Sequence, residues 1–157
     1  MLDIAFRSVH GVRGPREAVT GVLGCAARVP LVRKKLTQRT QNSVTVIFCG
    51  ISTIRALNFR YRNVRKPTDV LSFSYPFSRR DSQHGDSVFL GEIFICVPIA
   101  RRQAREYGHS MRAEIELLVV HGLLHILGFD HTTRSGARKM RIIENKILRR
   151  TVSRTEH

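Results

Sequence analysis

The sequence predicts an α+β domain in which one small sheet is covered by helices, and three observations predict it. Four short β-branched or alternating segments are spread along 157 residues, separated by stretches with helical spacing. No repeat, low-complexity linker or shift in composition divides the chain, so residues 1–157 are expected to form a single domain with its own core. A helix near the C-terminus is apolar almost all round, which places it in the middle of the fold.

Leu2 to Arg7 alternates apolar and polar, as a half-buried strand does. Gly14-Pro15 opens a helix with Pro15 expected at the first helical position, followed by Val19, Val22, Leu23 and Ala26 at helical spacing. Pro30 is expected to end or kink that helix, with Leu31 to Leu36 resuming it. Val44 to Cys49, between Asn42 and Gly50, reads as a second strand. Thr53 to Arg62 carries Ile54, Leu57 and Tyr61 on one helical face. Val70 to Tyr75 is a third strand, and Ser78 to Asp86 is a polar loop. Leu90 to Val97 is a fourth strand, after which Pro98 starts a helix reaching about Tyr107. Ser110 is the expected N-cap of the long helix Met111 to Leu127, with Glu114 and Glu116 in its N-terminal half. The last helix, about Ser135 to Val152, turns Met140, Ile143, Ile147 and Leu148 inward and basic residues outward. The total is four strands and five to six helices.

The apolar helix carries the chemistry. Its end reads His121-Gly122-Leu123-Leu124-His125-Ile126-Leu127-Gly128-Phe129-Asp130-His131. Side chains four residues apart share a helical face, so His121 and His125 point the same way. Gly128 can adopt the left-handed conformation that stops a helix, letting the chain return His131 to the same point. Three neutral imidazoles with no fourth protein ligand describe an open, catalytic type of zinc site. Two histidines on so apolar a helix would be costly without a partner. His10, His84, His109 and His157 have no partner in spacing and are assigned no metal role.

Charge is the second signal. Lys and Arg number 27 against 12 Asp and Glu, a net charge of +15, which favours a polyanion and makes nucleic acid the leading partner. The cations cluster at Arg33 to Lys35, at Arg60, Arg62, Arg65 and Lys66, at Arg101, Arg102 and Arg105, and along the C-terminal segment from Arg134 to Arg154. No helix pairs a basic face with the exposed apolar residues a membrane surface requires. Cys25, Cys49 and Cys96 are odd in number and widely spaced, so they are read as buried hydrophobes in a reducing compartment. The first residues lack the features of a signal peptide, and Leu117 to Leu127 is far shorter than the ~20 residues that span a bilayer. The protein is expected to be soluble and cytoplasmic, with no membrane partner.

His121 to His131 resembles the HGxLHxxGxDH signature of the YbeY family, bacterial zinc-dependent endoribonucleases of ribosomal RNA maturation. Leu57-Asn58, Tyr61-Arg62 and Lys66 to Phe73 match a second block of that family in the right order. Leu90-Gly91-Glu92-Ile93 matches a third, with Glu92 where the family has Asp. Met140 and Glu144 fall where the family places a Met and a Glu. Phe73-Ser74-Tyr75-Pro76 departs from the pattern by lacking a Pro directly after Ser72-Phe73. The resemblance implies one zinc on His121, His125 and His131, a catalytic role for Arg62, and a mixed four-stranded sheet. It further implies cleavage of single-stranded regions of ribosomal RNA precursors in small-subunit maturation and ribosome quality control. A small-subunit ribosomal protein or an assembly GTPase would be the protein partner.

Zinc chemistry suits phosphodiester cleavage, with either a water or the RNA 2′-hydroxyl as the attacking group. Arg62 suits it too, because a guanidinium is always charged and can hold two phosphate oxygens at once. Asp130 is either an outer acceptor for an imidazole or a turn residue. Glu92 and Glu144 are expected either to pair with an arginine or to line the cleft, structural salt bridging being the preferred reading, and Asp69 to be structural. Two rival functions remain. Metzincin proteases share the histidine spacing but need a Glu after the first ligand, where this chain has Gly122. A non-catalytic, zinc-containing ribosome-assembly factor is the other.

Overall fold

The protein's structure, a computed structural model, describes residues 2–36, 41–75 and 88–155, with side chains as far as residue 149. The period-two pattern at the N-terminus forms β1 (Leu2–Ser8), whose Leu2, Ile4 and Phe6 pack on the core while Asp3, Ala5 and Arg7 are exposed. β2 (Asn42–Cys49) runs parallel to it, with Ile4 opposite Val44. Buried on both faces, β2 is apolar from Val44 to Cys49 except for Thr45, as suits an interior parallel strand. β4 (Val88–Cys96) is parallel to β2, and β3 (Val70–Ser74) pairs antiparallel with β4 at the far edge. The order β1-β2-β4-β3 makes the mixed four-stranded sheet that the sequence and its resemblance implied.

Among the described residues six helices surround the sheet: α1 (Arg16–Ala26), α2 (Pro30–Arg33), α3 (Ile51–Arg62), α4 (Val97–Glu106), α5 (Met111–Ile126) and α6 (Arg134–Thr155). Two prolines act differently from expectation. Pro15 takes the N-cap position instead of the first turn of α1, and Pro30 begins α2 after Val29 has left the helical conformation. In both cases the fixed φ of proline serves an entry, and the missing N–H costs nothing at a helix start. The loop expected at Ser78 to Asp86 lies outside the described residues.

The main core lies between one face of the sheet and α1, α5 and α6, with Leu23, Phe48, Ile93, Ile115, Leu123 and Ile143 fully buried. Beneath α3 and α4, on the other face, sits a smaller cluster of Cys49, Ile54, Leu71, Cys96 and Ile99. All three cysteines are free and buried. Burial, with a smaller effect of Cys96, pushes the Cys49 thiol up to about 12. Asp69 is structural, as expected. Its carboxylate accepts from the Val70 N–H at 2.7 Å and from Gln103 Nε2 at 3.0 Å, tying the start of β3 to α4. Gly91 sits at φ 155, where a Cβ would collide with the Phe73 carbonyl, so only glycine allows β3 and β4 to approach there. Among the described residues no helix is long and apolar enough to cross a membrane.

Candidate metal centre

α5 is held rigidly along its length. The Ser110 hydroxyl accepts from the Ala113 N–H at 3.1 Å, as the sequence predicts for an N-cap, and Glu114 lies in the first turn. Ile115, Val119, Val120, Leu123 and Leu124 are fully buried. Gly122 lets the helix rest directly on β4, because a Cβ there would lie 2.8 Å from Cγ2 of Ile93. Position 122 therefore faces the sheet and supplies no carboxylate to a protease-like site.

The helix stops as Gly128 turns left-handed at φ 78. Its N–H donates to His125 O at 2.9 Å, and the Phe129 N–H donates to Leu124 O at 2.9 Å. This is the glycine-terminated helix end in which carbonyls of the last turn are satisfied from beyond the helix. Phe129 is buried and anchors the returning chain. Asp130 resolves as the turn residue: its carboxylate accepts from the Thr132 N–H at 3.0 Å and from the Thr132 hydroxyl. Those bonds hold it below the usual carboxylate range.

The turn brings His131 to the two helix histidines. Ring centroids are 4.6 Å apart for His121 and His125, 4.8 Å for His125 and His131, and 5.7 Å for His121 and His131. One nitrogen from each ring falls within 4.8 Å of the others. Nε2 of His121 and Nε2 of His125 are 3.1 Å apart. Two zinc ligands at ~2.05 Å and a tetrahedral angle would be about 3.3 Å apart, so the helix pair already stands at ligand spacing. His131 lies further out, on the exposed turn.

Glu144 of α6 corrects the preferred reading of a structural bridge and takes the alternative, a place at the cleft. Instead of an arginine it meets His121, with Nδ1 donating to Oε1 at 2.9 Å. A proton held on Nδ1 leaves the Nε2 lone pair free and aimed at His125, which is how an outer carboxylate prepares a histidine for a metal. The residues present therefore fit a zinc ion. Glu92 is a second correction, since its Oε2 accepts from the Tyr75 hydroxyl at 3.3 Å, and that carboxylate raises the Tyr75 pKa.

His125 is pushed below the ordinary histidine value, first by burial and then by the charges of His121, His131 and Arg62. Arg62, which contributes the smallest of these effects, is the last residue of α3, a different segment from the ligands, and its side chain is exposed. Asn63, left-handed at φ 56, ends α3 immediately behind it. Of the remaining histidines, His109 pairs with Glu114 at 3.0 Å and His10 lies in an exposed turn. His84 and His157 fall outside the described residues. Sequence reasoning missed the pairing of Glu144 with His121. Its only local signal is a place on the inward side of α6 between Met140 and Ile147.

The family model described as Endoribonuclease YbeY matches residues 22–152. A curated relative of that name from Pelotomaculum thermopropionicum is 38% identical over 149 residues, 95% of this chain and 97% of its own length. Another, from Heliobacterium modesticaldum, is 44% identical over 112 residues, 68% of each chain. Among solved structures, the solution structure of TM1509 from Thermotoga maritima superposes with a TM-score of 0.58 at 24% identity. That match covers 98% of this chain and 93% of the other and supports the fold.

Proposed function

The chain belongs to the endoribonuclease YbeY family, and we propose that residues 1–157 act as one zinc-dependent ribonuclease domain. Its substrate in this reading is single-stranded RNA within ribosomal RNA precursors, cut during small-subunit maturation and ribosome quality control in the cytoplasm. A small-subunit ribosomal protein or an assembly GTPase would bring the enzyme to that RNA.

The observation that carries the proposal is the convergence of His121, His125 and His131 with Glu144 behind His121. Three neutral donors and no carboxylate or thiolate among the described members of the cluster make an open site, the catalytic arrangement. When bound, zinc supplies concentrated positive charge that polarises a phosphoryl oxygen. The chain supplies the rest. Glu144 fixes the His121 tautomer, and the core-bound α5 holds two donors at constant separation. Arg62, exposed at the end of α3, presents a planar fork that can grip two phosphate oxygens and stabilise charge as it develops. The net charge of +15 draws the polyanion in.

The test is cleavage of a ribosomal RNA precursor by the purified protein, alone, with chelator, and with zinc restored. Cleavage lost to chelator, recovered by zinc and absent in His125→Ala is the expected result, with about one zinc per chain by elemental analysis. A protein that stays metal-free after zinc-supplemented purification would overturn the zinc reading. RNA binding and full zinc loading without cleavage would establish the assembly-factor alternative.

A further inference from the structure

Contrary to the expectation that no helix pairs a basic face with exposed apolar residues, α3 and the residues just beyond it expose apolar side chains to an unusual degree. Ile51, Phe59, Tyr61 and Val64 are 46%, 45%, 57% and 43% exposed, four of the ten large hydrophobic residues that stand open on the described surface. The same stretch, residues 51–66, contains Arg55, Arg60, Arg62, Arg65 and Lys66 and no Asp or Glu. Cations and rings are interleaved in space as well. The Arg65 guanidinium lies 5.0 Å from the Phe59 ring centre, and that of Arg60 lies 5.5 Å from Tyr61. Ser52, Arg55, Ala56, Phe59 and Arg65 line a shallow groove of about 490 Å³ along the helix.

We propose that the outward face of α3 is a track for single-stranded RNA, with Phe59 stacking a base while Arg55, Arg60 and Arg65 hold phosphates, leading to Arg62. The inference rests on the reading of RNA as the substrate and says where the strand runs. Two arguments favour RNA over a protein on this surface. Five cations without one carboxylate demand a partner with negative charge at every step, whereas the centre of a protein–protein contact is depleted of charge. The flat ring of Phe59, set in the groove between Arg55 and Arg65, suits the alternation of base and phosphate along a single strand, where stacking tolerates any base. Continuity with the histidines supplies the direction. Tyr61 packs on Phe73 of β3, with ring centres 4.8 Å apart, which fixes the end of α3 to the sheet edge against which the histidine-bearing α5 also packs.

Fluorescence anisotropy with a 2′-O-methyl oligouridylate of about twelve nucleotides tests it. Phe59→Ala should weaken binding about 5- to 10-fold, and Phe59→Trp should restore it. Arg55→Ala with Arg65→Ala should lower the slope of log affinity against log salt by about 1.4, since each single-strand phosphate contact contributes about 0.7. Arg7→Ala with Lys34→Ala removes the same charge from β1, at the opposite edge of the sheet, and from beyond α2, and should leave the slope unchanged. Melting temperature and zinc content monitor folding, and Phe59 is open enough for truncation to be tolerated. Wild-type affinity and slope in both α3 variants would overturn the proposal and leave this face to a protein partner. An equal loss in the Arg7/Lys34 variant would also overturn it, by showing a diffuse field instead of a track. Failure of the wild type to cleave RNA would sink the functional reading separately, because these binding measurements do not depend on turnover.

Discussion

Replacing Glu144 tests whether α6 belongs to the metal centre or merely packs beside it. The carboxylate accepts from His121 Nδ1 at 2.9 Å, with the histidine side chain 36% and the glutamate side chain 16% exposed. A charged acceptor in a hydrogen bond contributes about 1.5–3 kcal/mol, and partial exposure of this pair favours the lower end. Gln keeps an acceptor oxygen but loses the charge, so Glu144→Gln should weaken zinc binding about tenfold, or 1.4 kcal/mol. Ala also frees the ring to rotate and to move its proton to Nε2, so Glu144→Ala should weaken binding toward 100-fold. Competition against a chromogenic chelator at fixed pH reads both values. Glu92→Gln is the control, because that carboxylate meets Tyr75 and not a histidine. Zinc affinity within twofold of wild type in Glu144→Ala would refute the reasoning. So would an equal loss in Glu92→Gln, which would point to general electrostatics.

Arg62→Ala and Arg62→Lys should both slow cleavage at saturating RNA by about 10²- to 10³-fold, with zinc content unchanged, because lysine restores the charge without the fork. Wild-type rates in Arg62→Ala would remove Arg62 from the chemistry. Gly122→Ala drives a methyl to 2.8 Å from Ile93 Cγ2 at a fully buried contact. The overlap should outweigh the ~1 kcal/mol gain in helix propensity and lower the melting temperature of the metal-free protein by a few degrees, about 2–4 °C per kcal/mol lost. A higher melting point would show slack between α5 and β4. None of the three cysteines should react with a thiol reagent at pH 8 in the folded protein, and all three should react on unfolding. The Cys49 thiol, pushed up to about 12, carries negligible thiolate there, so rapid native labelling of Cys49 would contradict its burial.

What the sequence determined by itself is what depends on near neighbours along the chain. The 1-5 spacing of His121 and His125, the Ser110 cap, the left-handed Gly128 and the return of His131 are all consequences of helix geometry within about twenty residues, and each is present. The four strands and the inward face of α6 were legible for the same reason, since period and burial are written locally. Tertiary structure decided the rest. Glu144 reaches His121 across 23 positions because α6 packs on α5, and the end of α3 is tied through Tyr61 to β3, on which α5 also packs. Asp69 binds Gln103, and Gly122 is a glycine because Ile93 lies against it. Such contacts leave no periodic trace, since the partner of a side chain is set by how elements dock and not by its own surroundings in sequence. The charge excess was plain from composition. That part of it combines with exposed rings along α3 could be seen only once burial had separated the inward Ile54 and Asn58 from the outward Arg55 and Phe59.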